Sequence, residues 1–351
     1  GLAWVAYPEG LGGLGLPRDA QSEVDRAFAD TPQLLSTQGI GLGMAAPTIL
    51  AFGTPEQSRR FLRPLWTGEE IWCQLFSEPG AGSDLATLAT RAVRDGDEWV
   101  VDGQKVWTSG AHHARWAILV TRTDPDVPKH RGLTYFVCDM HAPGVEVRPL
   151  RQITGEAEFN EVFLTGVRLG DDLRLGEVGD GWRVAQTTLM NERVAIGGGR
   201  VRRGMFEILA DRWRDSPELR TSSLHARLLE LYVENEVTKL SGARLREQLV
   251  AGQPGPEGSG MKLSFARLNQ AISGLEVEFS RDLSYDDWTF RRSEAVDFYG
   301  REAGYRYLRA KGNSIEGGTS EILRNIISER VLGLPSEPRI DKDVPWKDLP
   351  R

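Results

Sequence analysis

The hydrophobic pattern of this 351-residue chain changes its period twice, and this change constrains the fold more than any other feature of the sequence. Up to about residue 70 the pattern is helical, and the segment FGTPEQSRRFLRPLW opens with a capping signature at Thr54, Pro55 and Gln57. Between about residues 71 and 178, short runs rich in β-branched and aromatic residues alternate with Asp-Gly and Pro-Gly turns. After residue 180 the helical period returns.

These periods divide the chain into consecutive parts of different type. We expect a helical domain at residues 1–70, a β domain at 71–178, a helical bundle at 179–335 and a C-terminal tail at 336–351. Short strands joined by tight turns are typical of an antiparallel barrel or sandwich. The predicted fold class is therefore α+β.

The composition argues against several kinds of partner. The net charge is -7 and there is no block of Lys or Arg, which disfavours nucleic acid. No apolar run approaches the roughly 18 residues of a spanning helix. Cys73 and Cys138 lie in apolar runs and are expected to be buried free thiols, as in a cytoplasmic protein. His112 and His113 have no carboxylate or cysteine at ligand spacing, so no metal site is predicted.

The segment LFSEPGAGSD, residues 75–84, is rich in residues with small or no side chains. Its backbone N–H groups can approach a ligand closely, and Ser77 and Ser83 add hydroxyl donors. A second segment, GQKVWTSGA at residues 103–111, offers the flat face of Trp107 beside further hydroxyls. Composition alone also allows an ordinary loop, but the pairing of the two segments favours a ligand site.

Five motifs together resemble one enzyme family. The sequences SEPGAGSD, GQKVWTSGA, FNEVFLTGVRL, GDGWRVA and EGGTSEILRNIISERVLG stand in the order and spacing found in flavin-dependent acyl-CoA dehydrogenases. The resemblance extends from about residue 1 to residue 335. It implies an N-terminal helical domain, which we expect to be truncated here, followed by a central antiparallel β-barrel and a C-terminal four-helix bundle.

The resemblance also implies an activity. Members of the family oxidise an acyl-CoA thioester to the 2-enoyl-CoA, with a carboxylate taking the α-proton and FAD taking the β-hydride. We therefore expect FAD, a fatty or steroid acyl-CoA substrate, electron-transfer flavoprotein as the acceptor and a tetramer. Two alternatives remain open: a non-catalytic structural subunit of a hetero-oligomeric acyl-CoA dehydrogenase, and a flavin monooxygenase on the same fold.

The family motifs assign roles to individual positions. By resemblance, the residues expected to bind the cofactor are Gln74, Phe76, Ser77, Gly82, Ser83, Trp107, Thr108, Ser109, Thr319 and Glu321. The residues expected to lie along the substrate are Ser83, Arg193 and Gly317.

Two carboxylates compete for the role of base. In many family members the base is a Glu two residues before the Thr of the C-terminal motif, a position held here by Gly317; Glu316 is one residue out of register. In a minority of members a Glu-Arg pair on the first long helix after the barrel supplies the base, and LMNERVAIGGG places Glu192 there. Its spacing from Leu189 and Ile196 puts Glu192 on an apolar face, where burial raises the pKa of a carboxyl group. We predict Glu192 as the base, with Glu316 as the runner-up; an interhelical salt bridge is the structural alternative for Glu192.

Two family segments are absent from this sequence. Homotetrameric members clamp the flavin diphosphate of a neighbouring subunit with an R-x-x-F-G and a Q-x-x-G-G segment, and the sequence has neither. Similar losses are found in actinobacterial members that pair two different subunits, several of which act on steroid side chains. We therefore expect a hetero-oligomer, with Arg214 or Arg220 as the substitute clamp in the homo-oligomeric alternative.

Overall fold

A computed structural model describes residues 2–17, 20–28, 38–198, 204–250, 258–279, 302–339 and 341–350. The N-terminal part contains helices α1 (Ala20–Ala27), α2 (Ala46–Phe52) and α3 (Pro55–Thr67). The predicted capping box is confirmed, because the Thr54 hydroxyl accepts from the Gln57 N–H and the Gln57 side chain accepts from the Thr54 N–H. The Gln57 amide also donates to the carbonyls of Asp172 and Arg174, which ties α3 to the β domain.

The β domain is one eight-stranded sheet. Its strands are β1 (Trp72–Leu75), β2 (Arg91–Asp95), β3 (Glu98–Ser109), β4 (Trp116–Arg122), β5 (Leu133–Asp139), β6 (Val145–Pro149), β7 (Phe159–Gly170) and β8 (Arg174–Leu175). The order is β6-β7-β3-β2-β4-β5-β8, with β1 paired to β4. The sequence predicted a purely antiparallel sheet. The strand directions are wrong in this prediction, since β1 and β2 each pair parallel to β4.

The central strands are buried on both faces because the sheet separates two apolar cores. One face of β4, with Trp116, Ile118 and Val120, packs in a core shared with the N-terminal helices. The alternate residues Ala117 and Leu119 face a second core that the strands β3 and β7 close from the other side. This two-sided burial explains the continuous apolar run in β4. Cys73 and Cys138 are buried free thiols, as predicted, and burial raises the pKa of each.

The C-terminal part is helical, with α7 at its centre. Its elements are α4 (Gly181–Gly198), α5 (Met205–Asp215), α6 (Ser222–Val250), α7 (Gly258–Phe279), α8 (Ala303–Ala310) and α9 (Ser320–Ile326). Helices α4, α5 and α6 pack against α7, as do α8 and α9 on the side of the C-terminal motif. The predicted order of helical, β and helical parts is confirmed. No helix within the described ranges is long and apolar enough to cross a membrane.

The C-terminal segment 341–350 returns to the β domain. The Trp346 ring lies 4.8 Å from the guanidinium of Arg122, and its indole N–H donates to the Thr87 carbonyl at 2.9 Å. Arg122 is buried and donates to the Lys129 carbonyl at 2.7 Å. Burial lowers the pKa of Arg122 to about 10, although Glu78 and Asp124 oppose this effect. The segment therefore covers a buried cation beside the loop that precedes β2.

Replacing Trp346 should destabilise the protein without changing its fold. Trp346→Ala removes a half-buried ring from a guanidinium and leaves the Thr87 carbonyl without its indole donor, so we expect a loss of about 2 kcal/mol in the free energy of unfolding. Trp346→Phe keeps the ring and should lose about half as much. Urea unfolding followed by tryptophan fluorescence measures both variants, and equal stability of Trp346→Ala and the wild type would contradict the prediction.

Candidate active site

A buried ion pair fixes the first glycine-rich loop. Lys105 in β3 has no exposed surface, and its ammonium donates to Glu78 Oε1 at 2.9 Å and to the Phe76 carbonyl at 3.0 Å. The same carboxylate accepts from the backbone N–H groups of Ala89 and Thr90 at 2.7 and 2.9 Å. Burial opposes ionisation of Glu78, but the Lys105 charge and these hydrogen bonds outweigh it and lower the pKa of Glu78. The ion pair therefore fixes the first residues of the loop 77–83 relative to β3.

The tip of this loop is bare backbone facing open space. Glu78 and Ala81 exchange two backbone hydrogen bonds of 3.0 Å each, which makes a tight turn. A Cβ atom added at Gly80 or Gly82 would meet no atom within 4 Å, and the neighbouring Ser83 is exposed. A ligand can therefore approach the main chain of this turn, as the sequence predicted.

Trp107 is exposed and held in an unusual backbone conformation. Its φ is 60°, and it is the one non-glycine residue with positive φ among those that the structure describes. Such a conformation costs about 1–3 kcal/mol, and it persists because the strand pairing around it is fixed. The pairing of β3 with β7 shifts register between Lys105 and Thr108, and 57% of the Trp107 side chain is exposed. Its ring and that of Phe159 form a T-shaped pair with centroids 5.8 Å apart, and the exposed part of the Trp107 ring remains accessible to a ligand.

The structure brings the two predicted segments together. The N–H of Val106 donates to the Ser77 carbonyl at 2.9 Å, so the strand that carries Trp107 lies beside the start of the loop. Ser109, two residues after Trp107 on β3, is half-exposed. A flat aromatic face next to free hydroxyls and bare backbone fits a planar heteroaromatic ring such as the isoalloxazine of FAD.

The predicted cofactor residues are not equally accessible. Ser77, Gly82, Ser83, Trp107 and Ser109 reach the surface, and Gln74 is half-buried in β1. Phe76 is buried and packs edge-on against Tyr135 at 5.8 Å. Thr108 is 1% exposed and its hydroxyl is enclosed by protein, so its side chain does not present a donor at the surface. The side chains of Phe76 and Thr108 would therefore support the residues that contact the cofactor, without contacting it themselves.

The second glycine-rich loop leads into α9. Gly317 and Gly318 have φ values of 63° and 99°, which favour glycine. The Thr319 hydroxyl caps α9 by accepting from the Ile322 N–H at 3.3 Å. Glu321 is exposed and lies 3.5 Å from Arg324. Thr319 and Glu321 are thus available on the surface at this end of the bundle, and their contact with the cofactor remains a prediction.

The two candidate bases have different surroundings. Glu316 forms a bidentate pair with Arg309 at 2.7 and 3.1 Å and accepts from the Asn313 side chain at 2.7 Å. Glu192 lies half-buried on α4, one turn after Thr188, whose hydroxyl meets that of Tyr135 at 2.9 Å. Because Tyr135 also packs against Phe76, this chain of contacts places the Glu192 helix next to the first loop. The side chain of Arg193 lies outside the described residues.

A buried lysine beside the second glycine-rich loop escaped the sequence analysis. Lys262 in α7 donates to the carbonyls of Asn313 and Gly318 at 2.6 and 2.9 Å. Burial lowers the pKa of Lys262, while the charges of Glu316 and Glu192 act in the opposite direction. The candidate site therefore comprises the loop 77–83, the Trp107 face, the Glu192 turn of α4 and the loop 313–318.

Comparison with known proteins identifies the family. Models of the N-terminal, middle and C-terminal domains of acyl-CoA dehydrogenases match residues 1–69, 73–167 and 179–332. The acyl-CoA dehydrogenase IpdE1 of Mycobacterium tuberculosis is 38% identical over 97% of this chain and 86% of its own length. The chain belongs to the acyl-CoA dehydrogenase family. Members of this family are FAD-dependent flavoproteins.

Two further comparisons show how much of each related protein this chain matches. The acyl-CoA dehydrogenase FadE34 of M. tuberculosis is 46% identical over 83% of this chain, and the chain spans only 39% of the length of FadE34. The structure of the Tcur3481-Tcur3483 steroid ACAD superposes with a TM-score of 0.79 at 27% identity, covering 95% of this chain and 86% of that one. The family fold thus extends over nearly all of the chain.

A side chain on the first loop should block flavin binding. Gly82→Val places a branched side chain in space that the protein leaves open, so the polypeptide itself has no clash to resolve. We expect the purified variant to fold normally and to lose most of its bound flavin, measured by flavin absorbance per polypeptide.

The matched control is Gly39→Val, which also lies at an exposed position with open space for a Cβ. This control should keep the wild-type flavin content. Retention of full flavin by Gly82→Val would show that the cofactor does not approach the loop at Gly82.

Proposed function

We propose that this chain is an FAD-dependent dehydrogenase that converts an acyl-CoA thioester into the 2-enoyl-CoA. The observation that carries the proposal is the position of Glu192. This residue lies half-buried on α4, one turn after Thr188, whose hydroxyl meets that of Tyr135, and Tyr135 packs against Phe76 at the start of the first loop. Family membership and the exposed Trp107 face support the flavin part of the proposal.

In the proposed reaction the residues of the chain position the substrate and move one proton. The Glu192 carboxylate would accept the α-proton of the thioester, and the bound flavin would supply the hydride acceptor for the β-carbon. Gly317 presents no side chain, which leaves room for the acyl group between the two loops. The bare backbone at Gly80 and Gly82 would lie at the mouth of the site, where Ser83 would meet the CoA moiety.

We also propose that a different partner subunit completes the flavin site. The two arginines that would replace the missing clamp are engaged within their own chain: Arg214 pairs with Asp211, and Arg220 donates to the carbonyls of Trp213 and Arg214 at 3.0 and 2.7 Å. A diphosphate requires fixed charged donors, so an engaged arginine is a poor substitute. The stretch where the second absent segment is expected is AVDFYGREAGYRYLRAKGNS, residues 295–314, of which residues 295–301 lie outside the described part of the chain.

The substrate class that we propose is a branched or steroid side chain attached to CoA. Its support is the similarity to the Tcur3481-Tcur3483 steroid ACAD. The proposed base on α4 agrees with this substrate class. The usual position of the base in the C-terminal motif is then held by Gly317, whose lack of a side chain would enlarge the space beside the reacting carbons. Electron-transfer flavoprotein is the proposed acceptor.

Removing the base should abolish the reaction but not the fold. Glu192→Gln keeps the size of the side chain and removes its ability to take a proton, so the rate of flavin bleaching by substrate should fall by roughly 10²-fold or more. Anaerobic stopped-flow absorbance measures this rate with straight-chain and steroid acyl-CoA thioesters.

The control variant is Glu316→Gln. It should keep most of the bleaching rate and instead lower the stability of the protein, because Arg309 loses its charged partner. Near-normal bleaching in Glu192→Gln with an inactive Glu316→Gln would reverse the assignment.

Expression of this chain alone should give flavin-poor protein. If the distal clamp comes from a partner, the isolated chain binds FAD weakly, and co-expression with a subunit that retains both absent segments should restore one flavin per unlike pair. Absorbance per polypeptide and mass in solution measure both quantities. A stable homotetramer with one flavin per chain would exclude the hetero-oligomer and leave the dehydrogenase proposal standing.

A further inference from the structure

Helix α6 has apolar side chains on two opposite faces. Its inner face packs on α5 and α7, where Leu228 and Leu231 are buried in the core of the bundle. Its outer face carries large apolar side chains of which 47% to 71% is exposed: Leu229, Tyr232, Val233, Val237 and Leu240. All of these except Tyr232 follow the spacing i, i+4, i+8 and i+11, so they form one row along the helix. We call residues 229, 233, 237 and 240 the outer stripe.

A continuous apolar row on a helix surface is typical of an interface. Single exposed apolar residues are common on proteins, but a contiguous set of them marks a surface that another polypeptide covers. A helix that faces only water carries polar side chains on its outer side. The outer stripe therefore indicates an occupant, and the charges beside it show which occupant fits.

Most charges beside the outer stripe are already paired within the chain. The ammonium of Lys239 lies 2.9 Å from both Glu207 and Glu236. The guanidinium of Arg227 donates to both carboxylate oxygens of Glu278 at 2.7 Å. These side chains are therefore satisfied without a second polypeptide.

Glu230 and Arg244 differ from these residues. Both are exposed, and neither forms an ion pair with any residue that the structure describes. They lie 14 residues apart, which is about four helical turns, so they stand on the same side of the outer stripe. The stripe therefore has an unpaired anion towards one end and an unpaired cation towards the other.

A two-fold antiparallel pair of α6 helices would satisfy both charges and the stripe. In a two-fold interface, residue i of one copy meets residue j of the other, and j meets i. An axis near residue 236 passes through the middle of the outer stripe, so the stripe of one copy packs on that of the other. The same axis brings Glu230 of each copy opposite Arg244 of the other. The pattern is thus complementary to itself.

The charges also distinguish the direction of pairing. In a parallel, in-register pair of helices, side chains five positions apart meet across the flanks of the interface. Lys239 of one copy would then lie beside Arg244 of the other, and two cations would repel each other. The antiparallel arrangement avoids this contact.

We propose that the outer stripe of α6 is the contact surface for a second copy of this chain, packed antiparallel about a two-fold axis near residue 236. This inference does not depend on the proposed reaction. It is compatible with an unlike subunit at the flavin site, because the two contacts use different surfaces. A hetero-oligomer would then contain two copies of this chain.

The first test places a charge on the stripe. Val237→Lys sets two ammonium groups close to the axis, so self-association should weaken by roughly 30-fold or more. The matched control is Val93→Lys on β2, since Val93 and Val237 are 55% and 56% exposed. The control should associate like the wild type.

Sedimentation of the full chain, alone and with an unlike subunit if one binds, measures the number of copies in each particle. We expect at least two copies in the wild type and half that number in Val237→Lys, with unchanged circular dichroism. A wild-type particle with one copy of this chain overturns the proposal, as does unchanged association of Val237→Lys.

The second test exchanges the charges at the ends of the stripe. Glu230→Arg and Arg244→Glu, each alone, place like charges opposite one another and should weaken self-association by roughly tenfold. The double variant restores opposite charges only if both come from copies of this chain, so its association should return to that of the wild type. Failure of the double variant to recover overturns the two-fold arrangement. This test also decides the matter if Val237→Lys does not fold.

The third test identifies the occupant directly. Val237→Cys is treated with a short bis-maleimide, and the native thiols of Cys73 and Cys138 are protected by burial. We expect a covalent dimer of this chain on a denaturing gel, and none from the control Val93→Cys. A cross-link to the unlike subunit in place of this dimer overturns the assignment of the surface to a second copy.

Discussion

The buried pair of Lys105 and Glu78 is the interaction on which the candidate site depends. It joins the end of β1, the first glycine-rich loop and the middle of β3 through one ammonium and one carboxylate. Removing either partner would leave a charge in a dry interior, at a cost of about 3–5 kcal/mol. Trp107 follows two residues after Lys105, so the same pair also fixes the strand from which the exposed ring projects. The position of the ring therefore depends on an ion pair that lies inside the protein.

The site uses the same physical arrangement twice. Each glycine-rich loop lacks the side chains that would anchor it by packing, and each is held through its backbone carbonyls by a buried lysine from a neighbouring element. Charge-assisted hydrogen bonds are stronger than neutral ones, so one ammonium can replace several apolar contacts. This arrangement leaves the ligand-facing side of each loop bare while its inner side is rigid.

The sequence predicted the order of helical, β and helical parts because the hydrophobic period is a local property. It did not predict that β1 runs parallel to β4, because the apolar run WCQL carries no information on the direction of its partner. The inward position of Lys105 follows from the alternation of Trp99, Val101 and Lys105, but its partner Glu78 is far away in sequence. The register shift at Trp107 places Thr108 inside, which simple alternation does not foresee. Likewise, the pairing of Glu316 with Arg309 depends on how the turn after α8 folds.

The return of the C-terminal segment onto the β domain has a consequence for the order of folding during synthesis. Trp346 and Thr87 lie 259 residues apart in sequence, and Lys129 and Asp341 lie 212 residues apart. Contacts between such distant residues form late, because the loop that they close is long and the ribosome releases the chain from its N-terminus. The surroundings of Arg122 therefore stay hydrated until residues 341–350 have left the ribosome, by which time the strands of the sheet can already have paired.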